Sequence, residues 1–122
     1  TAAKLNGEER DLRTLLENGK GWAMNGVAGP AAEPLFTVKK GETIRVDIRN
    51  ATAFAQPLHI HGHAWQVIGQ DPPAPFLDTV VVPGGETASL AFTADNAGLW
   101  ALHSLVAERA DGGLIGTFTV TE

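Results

Sequence analysis

The chain is predicted to be all-β, a Greek-key two-sheet sandwich with a short N-terminal helix. Three observations support this reading. From Trp22 onward, short stretches rich in Val, Ile, Thr and Phe are separated by Gly, Pro, Asn and Asp at fairly regular intervals, as expected for many short strands joined by turns. No helical stretches alternate with these strands, which excludes a parallel α/β sheet. A length of 122 residues suits one domain with one hydrophobic core and is too short for two.

At the start of the chain, Glu8-Glu9-Arg10-Asp11-Leu12-Arg13-Thr14-Leu15-Leu16-Glu17-Asn18 places apolar side chains at 12, 15 and 16 among charges and stops at Gly19. This pattern predicts a short amphipathic helix. Asn6-Gly7 and Asn18-Gly19 are turn signals on either side of it. Residues 1–21 therefore read as a helical lead-in and residues 22–122 as the sandwich domain.

Strands are predicted at Trp22–Met24, Leu35–Val38, Thr43–Arg49, Leu58–His61, Trp65–Gly69, Asp78–Val82, Thr87–Thr93, Leu99–His103 and Gly116–Thr121. Thr43–Arg49 alternates most cleanly, with Ile44, Val46 and Ile48 on the buried face. Turns fall at Lys40-Gly41, Pro83-Gly84-Gly85 and Asp95-Asn96-Ala97-Gly98. Asp71-Pro72-Pro73-Ala74-Pro75 reads as a stiff loop, because proline can neither donate a ladder hydrogen bond nor continue a strand.

Composition excludes several function classes. Lys and Arg number 9 against 14 Asp and Glu, a formal charge of −5, and the basic residues are scattered, so no nucleic-acid partner is expected. No apolar run approaches the roughly 20 residues that cross a bilayer, and the first residues form no apolar signal region. A soluble chain with no membrane partner is expected, any export signal having been removed or never present. There is no cysteine, hence no disulfide, no thiolate nucleophile and no thiolate metal ligand.

The candidate chemistry lies in two blocks that hold all four histidines: Gln56-Pro57-Leu58-His59-Ile60-His61-Gly62-His63, and Trp100-Ala101-Leu102-His103-Ser104-Leu105-Val106-Ala107-Glu108-Arg109. Alternate side chains of a strand face the same way. His59 and His61 therefore share one face, while Leu58 and Ile60 point into the sandwich. The same parity sets His103 and Leu105 opposite to Ser104.

A lone strand histidine is ordinarily a half-buried residue satisfied by a carbonyl and water. Clustered imidazoles rarely arise for packing alone and suit one metal ion or two adjacent ones. Convergence of His59, His61 and His103 requires their two strands to be neighbours. His63, after Gly62, is expected to orient its neighbours by hydrogen bonding rather than to bind metal.

A Ser104–His103 nucleophile pair is disfavoured, since adjacent strand residues face opposite ways. Asp78, Glu108 and Asp111 read as turn or surface carboxylates. Trp65 and Trp100 read as core aromatics.

The order Pro34-Leu35-Phe36-Thr37-Val38-Lys39-Lys40-Gly41-Glu42, the first histidine block, Asp78-Thr79-Val80-Val81-Val82-Pro83-Gly84-Gly85-Glu86, and the segment from Gly98 to Gly113 resembles the C-terminal cupredoxin domain of a laccase-like multicopper oxidase. The resemblance spans about residues 20–122. It implies a cupredoxin-like sandwich that, in the family, carries a type 1 blue copper and contributes to a trinuclear copper cluster between two cupredoxin domains.

The family motifs are His-Pro-x-His-x-His-Gly and His-Cys-His-x-x-x-His, the second followed by an axial Met or Leu. They place the type 1 ligands on Gln56, Ser104 and Arg109, with the axial position on Leu114. A weak carbonyl oxygen, a neutral hydroxyl and a permanent cation then replace two imidazoles and a thiolate, so no type 1 copper is expected. The trinuclear ligands fall on His59, His61, His103 and Leu105, so three of the four remain.

The resemblance thus implies a type 2/type 3-like copper site at His59, His61 and His103, with zinc as a substitute, on an outward, intersubunit face. It also implies a partner, either another cupredoxin domain or a homo-oligomer, a trimer being favoured. Periplasmic or extracellular residence follows from the same resemblance. The alternative is a metal-free structural or interaction domain, or an engineered scaffold, since Cys to Ser is nearly isosteric. In either case blue-copper oxidase activity of the isolated chain is not expected.

Overall fold

The computed structural model describes residues 2–5, 8–11, 22, 24–27, 29 and 33–122. Its strands are β1 (Ala2–Leu5), β2 (Glu8–Asp11), β3 (Phe36–Lys39), β4 (Thr43–Arg49), β5 (Gln56–Ile60), β6 (Gln66–Val67), β7 (Thr79–Val82), β8 (Thr87–Thr93), β9 (Gly98–Ser104) and β10 (Ile115–Thr121), with one short helix, α1 (Ala107–Asp111), between the last two. A five-stranded sheet runs β3-β10-β9-β5-β7 and a three-stranded sheet runs β4-β8-β6. Spatial neighbours are seldom sequence neighbours, so the chain crosses repeatedly between the sheets, as the Greek-key reading requires.

Alternation decides what each strand buries. In β5, Gln56, Leu58 and Ile60 are buried while Pro57 and His59 are half-exposed. In β10, Gly116, Phe118 and Val120 are buried, and in β8 Leu90 and Phe92 meet them from the other sheet. Trp65, Phe92, Phe118, Ile60, Leu90 and Val82 are essentially sealed from solvent. Phe36 stacks on Phe118 with centroids 5.2 Å apart, and Phe92 meets Phe118 edge-on at 5.6 Å.

Two neighbouring pairings position the site. β5 lies between β9 and β7, antiparallel to both, with His59 opposite His103 on one side and opposite Thr79 on the other. The loop before β5 is held by buried Asn50. Its Nδ2 donates to the carbonyls of Phe54 (2.7 Å) and Val82 (2.9 Å), and its Oδ1 accepts from the Thr52 backbone N–H (3.0 Å) and hydroxyl (2.7 Å).

Two sequence expectations are corrected. Glu8–Asp11, expected to open a helix, form a strand paired antiparallel with Ala2–Leu5, with Leu5 opposite Glu8. Strand pairing with Ala2–Leu5 outweighs the helix-favouring composition of Glu8-Glu9-Arg10. Residues 12–18 of the expected helix lie outside the described residues. Of the expected Trp22–Met24 strand, Ala23 lies outside the described residues; Met24 forms an isolated bridge with Val27, and the Trp22 N–H donates to the Gly112 carbonyl (3.0 Å).

Phe118→Ala removes a ring that is 0% exposed at the centre of this aromatic cluster. It is expected to cost about 3–5 kcal/mol in chemical denaturation. Leu99→Ala, at a position 67% exposed, is expected to stay within about 0.5 kcal/mol of the parent chain.

Candidate metal centre

His59 and His103 project outward from adjacent strands, and His61 follows directly after β5, its N–H bonded to the Ala101 carbonyl (3.0 Å). The three rings form a triangle with centroid separations of 4.6 Å (59–61), 5.0 Å (61–103) and 5.5 Å (59–103). Convergence, conditional in the sequence on the two strands being neighbours, is realised by the β5–β9 pairing.

The hydrogen bonds around the triangle are specific. His103 Nδ1 lies 2.7 Å from the Ser104 carbonyl oxygen, which can only accept, so Nδ1 carries the proton and Nε2 the lone pair. His61 Nε2 lies 2.9 Å from that lone pair. In the neutral cluster His61 is therefore the donor.

This contact keeps the rings from forming a ready ligand set. Among the described residues, no group of three or more His, Cys, Asp or Glu is arranged to hold a metal ion as it stands. The donor chemistry nevertheless fits copper or zinc, being three imidazoles on one face.

His63 is separate. Its ring is fully buried against Phe92, Trp100 and Phe118. Its Nδ1 is 3.0 Å from the His61 carbonyl oxygen, so it holds the backbone of the turn that presents His61. Gly62 has a positive φ of 70°, and a Cβ there would lie 2.7 Å from the Trp100 ring. Only glycine fits between the two histidines.

On the inward face of the same strands lies a polar group of different character. Ser104 is sealed and Gln56 nearly so. Arg109, from α1, donates through Nη1 to Gln56 Oε1 (3.0 Å) and to the Ala55 carbonyl (2.8 Å). Its guanidinium lies over the rings of Trp22 (4.9 Å) and Phe54 (5.5 Å). Gln56 Nε2 donates to Thr52 Oγ1 (3.0 Å), joining the network to Asn50.

Ser104 Oγ accepts from the Val106 N–H (3.2 Å). It does not meet the His103 ring, which bonds the Ser104 carbonyl instead, so the geometry forms no serine–histidine pair. Sequence reasoning found Gln56, Ser104 and Arg109 but not their partners Asn50 and Thr52. Asn50-Ala51-Thr52 between two strands was the available signal, since Asn and Thr favour turns through side-chain bonds to nearby backbone.

Comparison with known proteins identifies the lineage of this arrangement. The multicopper oxidase family pattern matches residues 6–122. The chain belongs to the multicopper oxidase family. It is 36% identical over 101 residues to iron multicopper oxidase fer1 of Mycosarcoma maydis, covering 68% of this chain and 16% of that protein. It is 32% identical over 104 residues to copper resistance protein A of Escherichia coli, covering 83% and 17%. The solved multi-copper oxidase of Pseudomonas thermotolerans superposes with a TM-score of 0.67 at 33% identity, over 73% of this chain and 22% of that one. The chain thus spans about a sixth of the length of these two curated relatives.

In this multicopper oxidase domain the clustering of the three rings acts on His61. Desolvation of the His61 ring lowers its pKa below the ordinary 6.5; His59 and His103 lower it further, and Asp78 pulls weakly upward. The folded state then binds a proton at His61 less readily than the unfolded chain. Below about pH 6.5 the unfolded state gains protons first and stability falls as pH falls, whereas above that value the group contributes no pH dependence. In chelator, urea unfolding at about pH 5.5 should show a loss relative to about pH 7.5, and His61→Asn should reduce that loss. An equal loss in the variant would place the effect elsewhere.

Proposed function

We propose that this chain is a copper-binding cupredoxin module whose working site is the outward triangle of His59, His61 and His103, with zinc as a possible substitute. The observation that carries the reading is the convergence on one face of three imidazoles, two from the paired strands β5 and β9 and one from the turn directly after β5. Leu105, 55% exposed, stands where a fourth ligand is expected and offers none. The set is half of a site, completed by a second cupredoxin domain facing it. That domain is another domain of a longer protein or another copy of this chain, in a trimeric ring. Bound copper supplies one-electron chemistry at such a site and zinc only Lewis acidity. This chain's residues bring the imidazoles together and aim them outward.

The inward group does not fit a type 1 copper. Gln56, Ser104 and Arg109 provide no thiolate and place a permanent cation where a metal cation would sit. We read these three positions as replaced type 1 ligands, supported by the burial of Gln56 and Ser104 on the inward face and by the hydrogen bond that joins Gln56 to Arg109. Electron entry through a thiolate-bound copper is accordingly not part of this function.

Two experiments test the reading. Titration with copper(II) or zinc(II) should show saturable binding that His59→Ala together with His61→Ala abolishes; binding unchanged in the double variant would refute it. The triple variant Gln56→His, Ser104→Cys, Arg109→His should acquire the intense blue absorption of a copper–thiolate centre on copper addition. A folded, copper-exposed triple variant that stays colourless would contradict the assignment of the inward pocket. A second reading, a metal-free interaction domain, draws on the His61–His103 hydrogen bond, which satisfies both rings without metal. Absence of metal after copper exposure, with full stability in chelator, would favour it.

A further inference from the structure

His59 is the only member of the triangle whose second nitrogen is held by a side chain from a third strand. Its Nδ1 lies 3.0 Å from Thr79 Oγ1 across the β5–β7 pairing, and the Thr79 hydroxyl donates to Asp78 Oδ1 at 3.1 Å. Asp78 Oδ1 itself is 3.8 Å from His59 Nδ1, too far for a direct hydrogen bond. The Asp78 backbone is fixed independently, its carbonyl accepting from the Ile60 N–H (2.9 Å).

We propose that Thr79, backed by Asp78, is the positioning residue that sets the tautomer of His59 and reserves its Nε2 for a metal ion. Proton counting fixes the direction of each bond. A carboxylate only accepts, and a threonine hydroxyl has a single proton. That proton goes to Asp78, so the Thr79 oxygen meets His59 as an acceptor and Nδ1 must carry the hydrogen. In neutral His59 the lone pair then lies on Nε2. His103 reaches the same tautomer through the Ser104 carbonyl. Two chemically different acceptors, a backbone carbonyl on β9 and a polarised hydroxyl on β7, thus prepare the two imidazoles alike. Partners of this kind fix ring orientation and raise ligand basicity in metal sites, and losing one typically costs about 10–100-fold in affinity.

The inference rests on the metal-binding reading above, but its first readout does not require metal. Long-range proton–nitrogen correlation spectra of the histidine-labelled full chain, in chelator at a pH where the rings are neutral, should show His59 as the Nδ1–H tautomer. Thr79→Val should mix the two tautomers and Thr79→Ser should restore the parent spectrum. Asp78→Asn should also mix them, because an amide can donate to Thr79 and free its hydroxyl proton for His59. In zinc(II) titrations, Thr79→Val should weaken binding about 10–100-fold while Thr79→Ser stays within a few-fold of the parent.

His59 found as the Nε2–H tautomer in the parent chain, or a tautomer unmoved in both folded variants, overturns the proposal. A parent chain that shows the Nδ1–H tautomer but takes up no zinc upholds the Thr79 assignment and counts against the metal-binding reading alone.

Discussion

A side chain on a β-strand faces one side of its sheet, and a slip of one residue in pairing would turn every side chain of that strand to the other side. In this domain the pairing of β5 with β9 sets Leu58 opposite Ser104 and His59 opposite His103. That register puts Leu58 and Ser104 in the interior and the imidazoles on the surface in a single step. The buried faces of Leu58, Ile60 and Leu102, packed against Leu90 and Phe92, hold the register because a slip would expose all three. Core packing therefore aims the candidate ligands.

The two faces then meet opposite chemical demands. Outward, water remains available, so neutral histidines can cluster and still exchange partners with an incoming ion. Inward, every polar atom needs a partner within the protein. Arg109 meets this demand by lying over Trp22 and Phe54 while donating to Gln56 and the Ala55 carbonyl. A guanidinium suits such a place better than an ammonium would, being planar and less strongly hydrated. The result is a hydrogen-bonded inward group beneath an open histidine face, beside a cavity of about 430 Å³ lined in part by Gln56 and Leu114.

Much of this was legible in the sequence because period-two alternation is a strong signal. The alternation over Thr43–Arg49 and Thr87–Thr93 predicts strands with the bounds they have in the structure, and the division of His59 and His103 from Ser104 follows from parity alone. What escaped were features that depend on a distant partner. Glu8–Asp11 look helical by composition, and only their pairing with Ala2–Leu5 makes them a strand. Asn50 and Thr52 look like loop residues until their reach to Val82 and Gln56 is seen. Asp78 reads as a surface carboxylate in the sequence, and it is 66% exposed. Its bond to Thr79, and so its link to His59, follows from β7 lying beside β5, a neighbour relation that the sequence does not encode locally.

The central claim is that the outward histidines form a metal half-site needing a second cupredoxin surface. The most direct test is to measure mass in solution and metal content on the same copper-exposed sample of the full chain. The account expects retained metal to travel with an assembled species heavier than one chain, and to be lost from the His59→Ala, His61→Ala double variant. A single-chain species carrying no metal, or metal retained equally by the double variant, would contradict it.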